Sequence, residues 1–169
     1  MKTRSNLAFA LLACAMVITV VAAAQQPVKT AKQMEGTWML VSNLHVQGEK
    51  KTDFFGPNPR GLMMMGREGH FVRVVTRSDV PKFASNNRQT GTLAENKAVV
   101  QGSIAYFGRY SCDSADGICN LHVEGSTFPN WVGDDQKRLF TLAGDELRET
   151  VPNPASGAGQ ALIVWKRVK

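Results

Sequence analysis

His122 and Glu124 stand two residues apart in a stretch that reads as a β-strand, so their side chains share one face. A histidine beside a carboxylate can move a proton to or from a bound molecule, or hydrogen-bond its polar end. Tyr106 and Tyr110 add two phenols upstream, and Arg73 offers a guanidinium able to neutralise a carboxylate. Phe128-Pro129-Asn130-Trp131 sets an amide and an indole in one loop, where they gate a cavity mouth or where Trp131 plugs the end of the fold. Arg73, Tyr106, Tyr110, His122, Glu124, Asn130 and Trp131 are therefore the expected ligand contacts. The chain holds no Gly-x-Ser-x-Gly elbow and no phosphate-binding glycine loop. His45, His70 and His122 are far apart, so neither a metal nor any other cofactor is expected, and no residue is assigned as catalytic.

The elements that must position these groups begin with a hairpin. Cys112 and Cys119 flank Asp113-Ser114-Ala115-Asp116-Gly117-Ile118, whose Asp-Gly pair signals a turn, so two strands would bring the thiols opposite each other as a disulfide. An unbulged register from that pair sets Tyr110 against Leu121, Arg109 against His122, Gly108 against Val123 and Phe107 against Glu124. One face then carries Tyr106, Tyr110, Cys112, Leu121 and Val123. The other carries Phe107, Arg109, Asn120, His122 and Glu124. Two readings follow: the polar face is solvated, or it lines a polar lumen.

The rest of the chain reads as short strands with turns between them. In Thr37 to Asn43, Trp38, Leu40, Ser42 and Leu44 fall on one face in period two. Phe54 to Gly61, with two prolines and two glycines, is a loop. Leu62 to Gly66 and His70 to Arg77 form a hairpin about Arg67-Glu68-Gly69, with Arg73 and Arg77 on the face of Phe71 and Val75 and with Met64 opposed to Met63 and Met65. Thr92-Leu93-Ala94-Glu95 matches a capping box that opens a helix ending at Gly102. Strands follow at Ser103 to Cys112, Cys119 to Gly125, Lys137 to Leu142, Asp145 to Val151 and Ala161 to Val168.

The N-terminus carries Lys2 and Arg4, then an uncharged run from Leu7 to Ala24 that ends in Ala22-Ala23-Ala24, the pattern of a cleaved signal peptide over 1–24. A retained anchor and lipidation at Cys14 are the competing readings. Residues 25–35 follow as a short, unpatterned leader, and 36–169 form one domain. Loss of Lys2 and Arg4 takes the 20 basic residues to 18 against 14 acidic ones. That mild, scattered excess gives no basic stripe for nucleic acid. A periplasmic or secreted location is expected, with no membrane contact after cleavage.

Gly36-Thr37-Trp38 and Phe55-Gly56-Pro57-Asn58-Pro59-Arg60-Gly61 open a series of motifs. It continues with Ile104 to Tyr110, His122 to Ser126, Pro129 to Gly133 and Trp165-Lys166-Arg167. In this order and spacing the series resembles the bacterial and fungal lipocalin-like domain family, from Gly36 to Arg167. The resemblance implies an all-β, antiparallel lipocalin-like β-barrel of about eight strands with one short helix across an opening. It also implies that Trp38 and Arg167 close the barrel base by cation–π stacking. The function expected of such a barrel is to hold a small, largely apolar molecule. An isomerase or cyclase using Tyr106, His122 or Glu124 is the alternative, as is a solid-core envelope interaction module.

Overall fold

A computed structural model describes residues 23–169, so the expected signal peptide and Cys14 lie outside the described residues except for Ala23 and Ala24. The strands are β1 (Gln26–Pro27), β2 (Gly36–Gln47), β3 (Lys50–Asp53), β4 (Arg60–Met65), β5 (His70–Thr76), β6 (Ser103–Cys112), β7 (Ile118–Ser126), β8 (Asp135–Ala143), β9 (Glu146–Val151) and β10 (Gln160–Arg167). Two α-helical segments, α1 (Ala31–Met34) and α2 (Leu93–Gly102), complete them. Antiparallel pairing runs β8-β7-β6-β5-β4-β2-β10-β9 and returns from β9 to β8, which closes an eight-stranded barrel. Closure leaves none of these eight strands with an unpaired edge along the circuit.

Local chemistry explains the turns. Gly69 sits at φ +77°, a conformation open to glycine, and its N–H donates to Gly66 O at 3.1 Å to tighten the β4–β5 hairpin. The Thr92 hydroxyl accepts from Glu95 N while the Glu95 carboxylate accepts from Thr92 N at 2.7 Å, so α2 starts where its capping box predicts. Cys112 and Cys119 face each other with Cα atoms 4.4 Å apart and form a disulfide. It closes a short loop, so replacing both cysteines with serine should cost about 2–3 kcal/mol in urea unfolding. A loss below about 0.5 kcal/mol would show that the hairpin is held by its β-ladder alone.

Two β-bulges depart from the simple alternation. In β2, Ser42 pairs with Val164 but Leu40 pairs with Trp165, which leaves Val41 as an extra residue. The phase flips there: Trp38 and Leu40 face inward, but beyond the bulge Asn43 is the buried residue, in place of the expected Ser42 and Leu44. In β7 the expected register holds from Cys119 to Val123, and then Phe107 pairs with Gly125 rather than Glu124. Gly125 has no side chain to resist the Phe107 ring lying against it.

The segment expected as an unpatterned leader is instead built into the fold. Gln26 and Pro27 pair with Leu142 and Thr141 of β8, and Val28 and Met34 are fully buried. Strand β3, also absent from the sequence reading, lies on the β2 segment from Leu44 to Gln47. Trp38 donates its indole N–H to Met34 O at 2.9 Å. The Arg167 guanidinium lies 4.0 Å from the Trp38 ring centroid and donates to the carbonyls of Glu35 and Gln33. One end of the barrel is thus closed by Met34, Trp38 and Arg167.

Candidate functional site

At the other end the interior stays open as a cavity of about 280 Å³. Its wall is apolar: Phe55 and Val75, Ile104 of β6, Val151 of β9, and Ala161 and Ile163 of β10. The mouth is framed by Phe54, by Val100 and Gln101 at the end of α2, by Phe128, and by the loop Pro154 to Ser156. Trp131 packs edge-to-face on Tyr106 and on Phe128, with centroids 5.0 and 5.6 Å apart. It therefore lines the mouth rather than plugging the barrel.

The floor of the cavity is polar. Trp38, Met63, Arg73 and Tyr106 form one inward row across β2, β4, β5 and β6, each paired with the next. Arg73, only 3% exposed, crosses the lumen to Glu149 of β9, with Nη1 donating to Oε1 at 2.9 Å. Trp165 donates its indole N–H to the second Glu149 oxygen at 3.0 Å, and the Met63 sulfur accepts from Arg73 at 2.9 Å. Burial is the largest influence on Arg73 and opposes its charge, but the Glu149 carboxylate and the Tyr106 hydroxyl together outweigh it and raise the guanidinium's hold on its proton. Arg138 of β8 is 5% exposed and stands 4.0 Å from Glu149, with one nitrogen donating to Gln136. Asn43, delivered by the β2 bulge, adds a buried amide to the lining.

The expected contacts divide between this cavity and elsewhere. Arg73, Tyr106 and Trp131 line it. Tyr110 is inward but belongs to the closed end, where its hydroxyl donates to Gly66 O at 3.0 Å and burial pushes its pKa up. Asn130 is exposed beside the mouth and is not part of the lining. His122 and Glu124 point outward, so the polar-lumen reading of that face does not hold. The alternation that buries Tyr106, Tyr110, Leu121 and Val123 necessarily sends them to solvent.

On that outer face Glu124 pairs with Arg109 at 3.0 Å, and Asp135 accepts from Asn120 and bonds the His122 ring. The Asn120 amide first, then His122, holds the Asp135 carboxyl below its usual range. The acid–base trio Tyr106, His122 and Glu124 is therefore not assembled in the cavity. Among the described residues no cluster of His, Cys, Asp or Glu has the arrangement of a metal site.

Sequence reading missed Arg138 and Glu149. Leu147, Glu149 and Val151 alternate along β9, and Arg138 shares its phase with Phe140, so a signal was there. The outer wall carries apolar rows as well, with Met39, Leu62 and Val74 in one and Met64, Val72 and Phe107 in the next, all exposed. Such rows are what an interaction surface presents, and they lie on the opposite side of the wall from the cavity.

The profile of the lipocalin-like domain family matches residues 35–168. Among curated proteins, the 4'-hydroxy-3'-methoxypropiophenone carrier protein ppsC of Aspergillus oryzae is 29% identical over 103 residues, covering 56% of this chain and 93% of the relative.

Proposed function

The chain belongs to the lipocalin-like domain family, and from that premise we propose that it is an exported carrier of a compact small molecule. The observation that carries the reading is the cavity of about 280 Å³, with an apolar wall over a polar floor and a mouth at one end. That volume is at the lower end of the range for small-molecule sites, which suits a ring with a short substituent better than a long acyl chain. The relative's name points to a carrier of an aryl ketone of that kind, with an apolar body and oxygen acceptors. Export rests on the signal-like run from Leu7 to Ala24, and the Cys112–Cys119 disulfide suits an oxidising compartment.

The test is a fluorescence titration with 4'-hydroxy-3'-methoxypropiophenone, since Trp131 lines the mouth. Saturable quenching is expected, together with at least a tenfold loss of affinity in Ala161→Phe, whose ring would occupy the cavity. Absence of saturation with this ketone and with other arenes of like size, or a variant that binds as well as the parent, overturns the carrier reading.

A further inference from the structure

We infer that the carried molecule is a monoanion, a compact arene bearing a carboxylate, and that Arg138 is the residue that receives it. The inference rests on the carrier reading and narrows its ligand. Among the described residues the buried charges inside the barrel are Arg73, Arg138 and Glu149. Arg73 and Glu149 neutralise each other at 2.9 Å, which leaves the lumen with one positive charge in excess.

That excess sits on Arg138. The Nε of both arginines is buried without a hydrogen-bond partner, but Arg73 bonds Glu149 at 2.9 Å whereas Arg138 approaches it only to 4.0 Å, beyond hydrogen-bonding reach. The two Glu149 oxygens accept from Arg73 and from the Trp165 indole, and neither accepts from Arg138. Among the described residues no carboxylate lines the cavity, whereas both arginines do. A molecule entering from the mouth therefore meets guanidinium groups, with Glu149 behind them. A buried ion without a counter-ion is costly, and a guanidinium pairs a carboxylate through two parallel hydrogen bonds. The Asn43 amide and the Tyr106 ring, both on the lining, add a donor and an aromatic face for the rest of the ligand.

The experiment compares 3-phenylpropionate with its amide at pH 7, where the acid is ionised and the two have nearly one shape. The acid is expected to bind at least tenfold tighter than the amide. Arg138→Gln should remove that preference by weakening the acid at least tenfold more than the amide, and Arg138→Lys should keep most of it. Arg138→Gln retains the balanced Arg73–Glu149 pair, and a thermal melt on each variant checks the fold. An amide that binds as well as the acid overturns the inference, as does a preference that survives in Arg138→Gln. If the aryl ketone binds and 3-phenylpropionate does not, the anion assignment fails and the carrier reading stands. If neither binds, both fail.

Discussion

Replacing Glu149 with Gln is expected to lower the unfolding free energy by about 3–5 kcal/mol, the range seen when one partner of a buried ion pair is removed. Gln keeps the shape and one acceptor oxygen, so the loss reports charge rather than volume. Without the carboxylate, Arg73 and Arg138 become two like charges buried in the lumen, at 3% and 5% exposure. The Trp165 indole also loses its charged acceptor. Urea unfolding with an unchanged slope measures the effect cleanly. A loss under about 1 kcal/mol would mean that water reaching the floor through the cavity screens the pair as it does on a surface. The same substitution made in Arg73→Met should cost much less, because the two residues act as one unit.

Trp38→Ala is the second large effect, at about 3–5 kcal/mol, as for other buried aromatics. The ring is fully buried, bridges Met34 to Met63, and carries the Arg167 guanidinium on its face. Its removal opens a void at the closed end and leaves the Met34 carbonyl without its donor. For a domain of this size the melting temperature should fall by roughly 6 °C or more. An unchanged melting temperature would show that α1 and Val28 close the base without it.

Much of this architecture was legible in the chain, for reasons that can be located. The hairpin around Gly69 and the helix opened by Thr92 and Glu95 rest on contacts between near neighbours, so the sequence carries them directly. The Cys112–Cys119 register followed in the same way.

What escaped depends on distant partners. Val28 and Met34 look unpatterned because they fill one end of a barrel, and a plug has no strand period. Asn43 faces inward only because Val41 is an extra residue against β10, and no local signal marks that bulge. Arg138 follows Lys137, and a basic pair reads as solvent-facing until the opposing Glu149 is known. The contact least visible in the chain, Arg73 to Glu149, joins residues 76 positions apart.

The first described strand and the last residue of the chain lie at a single pole. Gln26 lies beside Leu142 near the Trp38 plug, and Lys169 reaches Asp145 at the same end, with Nζ 3.0 Å from Oδ2. The mouth, framed by Phe54, Phe128 and the loop from Pro154 to Ser156, is at the opposite pole. A fusion partner, an affinity handle or a surface linker joined directly ahead of Gln25 or beyond Lys169 therefore starts at the pole opposite the opening. A display format or biosensor could be built from this barrel without redesigning a loop.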